Sequence, residues 1–431
     1  MASTKAIKGV SRQVLERIEP SKEDKDFLKK SVRNFESNLR NKIKEKSLKA
    51  TFFEGGSFAK GTLMKKSKYD IDLFVRFEKY HANDDLSKLT EEILKDTKNV
   101  QKIHGSRDYF KIDISEELEI ELVPVLKISK PEEAVNVTDL SYSHVKYVKN
   151  NATSQKILDD IKIAKAFCHA TKTYGAESYI SGFSGYALEL LIIYYGSFEK
   201  FLKEIVKERK DKIVIDMARH YKNRNEILLD INSSKLNSPV ILIDPTYKKR
   251  NALAALSKRT FNRFVKESNA FLESPSIESF ETRKLVPNRY KTKANQLEHN
   301  YVLIELKTDK QEGSIAGSKL QKFHRHLIRE ISKYFNLEAS DFEYDGHKAS
   351  KAVYMAKPME KIVFKGPSKT DKENLKIFKS KHKSVFFENE RAYAEEKNYS
   401  HLEDFFKNWI KNNRDRLKEM NIKEISIKDS N

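Results

Sequence analysis

The sequence predicts a multidomain α+β protein, and three observations predict it. The chain is 431 residues long, which at roughly 150 residues per domain corresponds to about three cores. Up to Leu126, apolar residues alternate between helical and period-two spacing, as a mixed sheet with covering helices requires. From Thr153 to Ile231 helical spacing takes over, and both patterns then return to the C-terminus. These changes of pattern mark divisions between Leu126 and Thr153 and after Ile231.

The elements follow in order. Ser21, with Asp24 three residues on, reads as a capping box, and Leu28, Val32, Phe35, Leu39 and Ile43 behind it form one apolar helix face. Ala50–Phe53 is strand-like and runs into Gly55-Gly56-Ser57; Asp70–Val75 alternates with period two. A helix over Asp85–Thr97 and strands over Tyr109–Ile114 and Glu119–Leu126 complete a mixed sheet. In the helical middle, Ile157, Ile161 and Ala164 share one face, and Leu188, Leu191 and Ile192 another. Strands over Val240–Ile243 and Val302–Leu306 enclose helices over Ala252–Lys258 and Thr260–Leu272. The last third holds a helix Lys319–Phe335, strands Lys351–Ala356 and Ser384–Ala394, and an amphipathic helix carrying Leu402, Phe405, Phe406 and Trp409. Ser274–Ser276 and Lys365–Lys372 read as joints, and the residues after Met420 as a frayed end.

Lys and Arg number 83 against 63 Asp and Glu, a formal charge of +20. A surplus of that size attracts polyanions through counterion release, with nucleic acid foremost and an anionic membrane surface second. An apolar fraction of 39%, with 25 Phe and 19 Tyr, supports packed cores and argues against general disorder. The single cysteine, Cys168, excludes an internal disulfide and a cysteine-based zinc site, and suits a reducing cytoplasm. Residues Met1–Gly9 lack a signal-like apolar region, and the longest apolar stretch, Tyr186–Tyr195, is broken by Glu189. The expectation is a protein neither secreted nor membrane-spanning.

Three segments carry chemistry: Gly55-Gly56-Ser57-Phe-Ala-Lys60-Gly61-Thr62, Asp70-Ile71-Asp72, and Glu119-Ile-Glu121-Leu-Val-Pro124. Residues two apart on a strand share a face, so Asp70 and Asp72 project together, and a third acid from a neighbouring strand completes a cluster. Glu119 and Glu121 both face that way; the Val-Pro that follows favours Glu121. Such hard oxygen ligands suit Mg²⁺, and two ions roughly 4 Å apart clamp the attacking and leaving oxygens of a phosphoryl displacement. The glycine loop lets backbone N–H groups approach phosphate, with Ser57 adding a hydroxyl. An Asp-x-Asp by itself is commonly the solvent face of a strand, and a Gly-Gly-Ser a turn.

Taken together, these segments resemble the polymerase β-like nucleotidyltransferase superfamily. Within it the chain is similar to the archaeal, class I CCA-adding tRNA nucleotidyltransferases over nearly its whole length. The resemblance runs through Ile18-Glu-Pro-Ser-Lys-Glu23, Val137–Val148, Tyr174-Gly-Ala-Glu177, Gly182-Phe-Ser-Gly185 with Tyr195-Gly-Ser-Phe198, Ile243-Asp-Pro245, Arg250–Ser257, Gly366-Pro367, Lys381-His382-Lys383 and Glu390–Tyr393. It implies a nucleotidyltransferase head (1–148), a helical neck (149–258), and an α/β body and tail (259–431) that binds tRNA. It also implies that Asp70, Asp72 and Glu121 are catalytic and hold two Mg²⁺, and that Gly56, Ser57 and Lys60 line the phosphate loop. Ser141, His144, Lys165 and Tyr174 would meet the triphosphate, and Arg250 would help select the base. The sequence departs from the family pattern at Tyr247, where an acidic residue is usual, and at the third carboxylate, Glu rather than the commoner Asp. Lys65-Lys66-Ser67-Lys68 also replaces glycine and acidic residues, and is expected at the RNA backbone.

The implied activity is template-independent addition of C, C and A to the 3′ end of tRNA from CTP and ATP, with release of pyrophosphate. On this reading the partner is the tRNA acceptor stem with its adjoining arm; Lys319, Lys322 and Arg325 on one helix are the candidate phosphate contacts, and a homodimer is compatible with it. Two competing readings are an oligonucleotide second-messenger synthase of the oligoadenylate synthetase type and a catalytically inactive RNA-binding protein. The intact Asp70 and Asp72 argue against the second.

Overall fold

Two amphipathic helices lead into the first sheet. The structure, a computed structural model, describes residues 3–207, 212–282, 284–360, 362–382, 384–396 and 399–431, so Lys383 lies outside the described residues. Helix Lys22–Glu45 starts as the capping box requires: the Ser21 hydroxyl accepts from the Asp24 N–H and the Asp24 carboxylate from the Ser21 N–H, both at 3.0 Å. Its buried face is Leu28, Val32, Phe35, Leu39 and Ile43. A preceding helix, Thr4–Ile18, buries only Ile7 and Val14. It is absent from the sequence reading although Ile7, Val10, Val14 and Ile18 recur at helical spacing; packing on helix Gln155–Ala170 stabilises it.

The sheet has the order β1 (Ala50–Glu54), β2 (Tyr69–Phe77), β5 (Leu118–Leu126), β4 (Tyr109–Ser115), β3 (Val100–Ile103). Only β2 and β5 run parallel. Ile71, Leu73, Val75 and Phe77 on β2 and Leu118, Ile120 and Leu122 on β5 are fully buried against the covering helices, Leu86–Leu94 among them. The expected mixed sheet is thus present. Asp139 closes it: buried, it accepts N–H bonds from Leu126 (2.8 Å), Val135 (3.1 Å) and Asn136 (2.9 Å) and pairs with Arg107. This fixes the chain just before helix Ser141–Asn151.

Helices Gln155–Ala170, Gly185–Tyr195, Phe198–Lys207 and Lys258–Glu273 share a core rich in phenylalanine: Phe167, Phe183, Phe198, Phe201, Phe264 and Phe271. Two expectations are corrected here. The middle region is not helix after helix to Ile231, because Ile213–Ile215, Val240–Asp244 and Tyr247–Asn251 build a three-stranded sheet. Nor is Ala252–Lys258 helical: Asn251 Oδ1 accepts from the N–H groups of Leu242 (3.0 Å) and Leu253 (2.9 Å) and holds a turn, so helix begins only after the Ser257 cap.

Contacts divide the chain into two compact units, Met1–Ala176 with Ile180–Thr282, and Glu177–Tyr179 with Arg283–Asn431. Helix Lys258–Glu273 therefore sits in the first unit. The second unit has a four-stranded sheet ordered Phe335–Tyr344, Ala349–Pro358, Asn300–Lys307, Glu424–Ser430. Helices Ser314–Ile331 and Leu402–Asn412 cover it with Leu320, Phe323, Leu327, Phe405, Phe406 and Trp409. The first of these helices ends at Ile331, and Phe335 instead opens a strand. Ser384–Ala394 is not one strand but the hairpin Val385–Glu388 and Arg391–Glu396, turned at Asn389 and Glu390, both with positive φ. Lys365, expected in a joint, lies in strand Ile362–Ser368. The end after Met420 is not frayed: Ile422 is 4% exposed, and Glu424–Ser430 pairs with Asn300–Lys307. Among the described residues no helix is long and apolar enough to cross a membrane.

Ile422 shares its core with Trp409, the only tryptophan of the chain. Ile422→Ala is expected to destabilise this unit by about 2–4 kcal/mol, read as an earlier urea transition in tryptophan fluorescence.

Candidate active site

The parallel pairing of β2 and β5 sets the site. Asp70 stands opposite Glu119 and Asp72 opposite Glu121. Strand alternation sends Ile71, Leu73, Ile120 and Leu122 into the core and leaves all four acids on the other face. Asp70 is exposed; Asp72 and Glu121 are half-buried. Burial, then Glu121 and Asp70, push the Asp72 carboxyl up to about 7, against Lys60 and Lys66. Burial likewise raises Glu121, although Lys111 opposes it.

Lysines answer part of this repulsion. Lys66 bonds Asp70, and Lys68 bonds Asp113 and lies 3.7 Å from Glu119. Lys111 Nζ is 2.7 Å from Glu119 and 3.1 Å from Glu121. The lysine run expected at the RNA backbone thus turns onto carboxylates at Lys66 and Lys68. Glu119 is held by two lysines, whereas Glu121 is the acid paired with Asp72. A divalent cation fits this donor set, since Asp70, Asp72 and Glu121 offer hard oxygens and unbalanced negative charge. Among the described residues no three acidic, histidine or cysteine side chains converge on one point; Lys66 and Lys111 engage two of these three carboxylates.

The glycine loop lies against Asp72. The Gly55 N–H donates to the Asp72 carbonyl at 2.8 Å. At Gly56, with φ +56°, a Cβ would stand 1.7 Å from Asp72 Oδ2, so a side chain there would displace the carboxylate. The loop continues as one helical turn, Gly56–Ala59, and the Thr62 N–H closes it on the Ser57 carbonyl at 2.9 Å.

Behind the loop is a buried ionic cluster. Glu189, wholly buried in the apolar helix Gly185–Tyr195, lies 2.6 Å from Lys60 Nζ and 2.8 Å from Lys165 Nζ. The Thr62 hydroxyl donates to Glu189 at 3.2 Å and accepts from Lys165 at 2.8 Å. Burial pushes Glu189 up, but Lys165 and Lys60 outweigh it and hold the carboxyl below its ordinary value. Burial also lowers the Lys165 ammonium, with Glu189 opposing. Tyr174 reaches the same wall: a Cβ on Gly185 would lie 2.8 Å from its hydroxyl and 3.7 Å from Lys165 Cε.

A second buried carboxylate, Asp244, gathers His144 and Arg250. It accepts from the Tyr186 hydroxyl at 3.0 Å, from the N–H and hydroxyl of Thr246 at 2.8 Å, and from Arg250 at 2.5 Å. His144 Nε2 is 3.1 Å from Asp244 Oδ2, off the line of a hydrogen bond, and its ring stacks on Tyr186 at 4.1 Å. Burial raises Asp244, yet His144, Arg250 and Thr246 hold it well below the carboxylate range. Burial lowers His144 in spite of Asp244. Ser141 is three residues before His144 on helix Ser141–Asn151, and Tyr247 is half-buried on the strand that carries Arg250.

The first unit therefore brings Gly56, Asp72, Glu121, Lys60, Lys165 and Tyr174 into one run of contacts and His144 and Arg250 into another, with Ser141 on the helix that carries His144. Lys319, Lys322 and Arg325 lie in the second unit on helix Ser314–Ile331, the last two exposed. Glu189, Thr62 and Asp244 have no role in the sequence reading. The available signal was Glu189 itself, an acid inside an otherwise apolar helix.

Comparison with known proteins decides the family. A CCA-adding enzyme of Nanoarchaeum equitans is 36% identical over 79% of this chain and 82% of its own, and one of Methanocaldococcus jannaschii 30% identical over 94% and 91%. The chain belongs to the archaeal CCA-adding enzyme family. It is thus a tRNA nucleotidyltransferase. The family profile described as tRNA nucleotidyltransferase, second domain, matches residues 159–281 and ends next to the break between the two units; one for the second messenger oligonucleotide or dinucleotide synthetase domain matches 11–172. A crystal structure of the Cid1 poly(U) polymerase covers 65% of this chain with a TM-score of 0.52 and 14% identity, a likeness of fold.

Asp244→Asn breaks a buried, fully bonded charge and is expected to cost about 3 kcal/mol in urea denaturation at pH 7. Because Asp244 is held below its ordinary value of 3.8, its contribution is complete above that pH and lost as the pH falls beneath it. The difference between variant and parent should accordingly shrink in acid.

Proposed function

We propose that this protein adds C, C and A in turn to the 3′ end of tRNA, without a nucleic-acid template, from CTP and ATP. The terminal 3′ hydroxyl attacks the α-phosphorus, a new P–O ester bond forms, the bond to the β-phosphate breaks, and pyrophosphate leaves. The observation that carries this reading is the set of acids Asp70, Asp72 and Glu121 on two parallel strands, followed by cationic and hydroxyl groups leading away from them.

Asp70, Asp72 and Glu121 would hold two Mg²⁺, which supply charge neutralisation at the phosphates and acidify the attacking hydroxyl. Gly56 and Ser57 admit the phosphates beside these acids. Lys60 and Lys165 give the triphosphate two cations, Tyr174 and Ser141 hydroxyls, and His144 an imidazole held by Asp244. One edge of the Arg250 guanidinium is spent on Asp244, leaving the rest of its fork for base edges. Residues 1–148 act as catalytic head and 149–258 as neck, while the region from 259 binds the acceptor stem and its adjoining arm, with Lys319, Lys322 and Arg325 meeting phosphates by shape rather than sequence. The site of action is the cytoplasm.

The match of residues 11–172 to a second-messenger synthetase domain favours one other reading, in which a nucleotide rather than tRNA is the acceptor. Transcripts lacking CCA, CA or A, incubated with Mg²⁺ and labelled CTP or ATP singly and together, separate the two. The expected products are C, C and A on the transcript lacking CCA, C and A on the one lacking CA, and A alone on the one lacking A, each followed by a stop. Short oligomers from ATP alone with nothing added to tRNA would replace this reading, and an inactive binder would give neither.

A further inference from the structure

We infer that Glu189 is a positioning residue for the triphosphate: its buried carboxylate keeps Lys60 and Lys165 side by side and aimed toward Asp72, so that substrate meets a preformed pair of cations. The inference rests on the reading of these lysines as triphosphate contacts.

A carboxylate in a helix whose neighbours are Ala187, Leu188, Leu190, Leu191 and Ile192, all fully buried, is expensive unless paired and hydrogen-bonded. Well-packed apolar side chains in place of the whole set Glu189, Lys60 and Lys165 would stabilise equally well, so packing alone gives no reason for the cluster. What Glu189 does have is three polar partners at once. Lys60 takes one oxygen at 2.6 Å; Lys165 and Thr62 share the other at 2.8 and 3.2 Å.

Those partners come from different segments. Lys60 and Thr62 follow the glycine loop directly, and Thr62 is tied back to Ser57; Lys165 comes from helix Gln155–Ala170. The cluster thus links the phosphate loop to two helices. Its charge is one carboxylate against two ammonium groups, leaving a net positive charge beside acids that are themselves in excess. Lys60 follows directly on the turn Gly56–Ala59, whose Gly56 lies against Asp72, which places the cluster behind the carboxylates.

Two buried ammonium groups without an acid between them would repel each other and tend to lose a proton. Glu189 opposes both tendencies, and the bond through Thr62 limits the rotamers of Lys165. Binding energy is then not spent on ordering two flexible lysines as the triphosphate arrives. Because the triphosphate is common to both substrates, Glu189 should affect CTP and ATP alike and tRNA not at all.

The test uses the full-length protein, with steady-state incorporation on tRNA ending in C for ATP and on tRNA lacking CCA for CTP. In Glu189→Gln, KM for both nucleotides is expected to rise together, roughly ten- to a hundred-fold, with kcat changed less and the Kd for tRNA unchanged. In the Lys165→Ala background, Glu189→Gln should add little, since it acts through that lysine. Thr62→Val keeps every charge and should fold if Glu189→Gln does not; it is expected to raise both KM values a few-fold. Unchanged KM values with a lowered Tm, or effects of Glu189→Gln and Lys165→Ala that multiply in full, would overturn the inference and make Glu189 a structural tie. Failure of the wild-type protein to incorporate either nucleotide would overturn the proposed function and this inference with it.

Discussion

Mutual repulsion among carboxylates is the constraint around which the site is arranged. The parallel register of β2 and β5 leaves no freedom to separate Asp70, Asp72 and Glu121, because a slip by one residue would bury the acids and expose Ile71, Leu73, Ile120 and Leu122. The hydrophobic core therefore enforces an arrangement that electrostatics opposes. The cost shows in Asp72, whose carboxyl is pushed up to about 7 by burial and then by Glu121 and Asp70, and in the lysines that lean on Asp70, Glu119 and Glu121. Gly56 tightens it further by bringing the loop backbone against Asp72. Cold acids of this kind are useful to a protein that must hold cations and a triphosphate in one place.

Two other carboxylates are treated in the opposite way. Glu189 and Asp244 are fully buried and fully bonded, and each gathers groups from separate segments: Lys60, Thr62 and Lys165 around one, His144, Tyr186, Thr246 and Arg250 around the other. The contrast sorts the acids of this unit by function. Burial, followed by neighbouring acids, raises Asp72 and Glu121, whereas at Glu189 and Asp244 the paired cations and hydrogen bonds outweigh burial and lower the carboxyl.

Much of the fold was legible because its signals are local. The capping box at Ser21 and the alternation in β2 and β5 need no knowledge of the rest of the chain. The errors fall where a distant contact decides. Thr4–Ile18 is held by packing on helix Gln155–Ala170; Ala252–Leu256 has helical composition, but Asn251 bonds its backbone into a turn. The polar end after Met420 gains order from pairing with strand Asn300–Lys307. At the site, the acids and the glycine loop could be read from spacing and from the family resemblance. Asp244 and Thr62 could not be assigned, since their meaning lies in which groups from far along the chain share their oxygens.

The central claim is that the three acids form an electrostatically costly set that divalent cations relieve. The direct measurement is thermal stability of the wild-type protein and of Asp72→Asn at pH 8 with and without Mg²⁺. Because the folded value of Asp72 lies above its ordinary 3.8, its penalty grows as the pH rises through that range and is complete at pH 8. The account predicts that Asp72→Asn is the more stable protein without metal, and that saturating Mg²⁺ raises the wild-type Tm by roughly 5 °C while moving the variant little. Equal shifts in both proteins, or a variant less stable than wild type without metal, would contradict it.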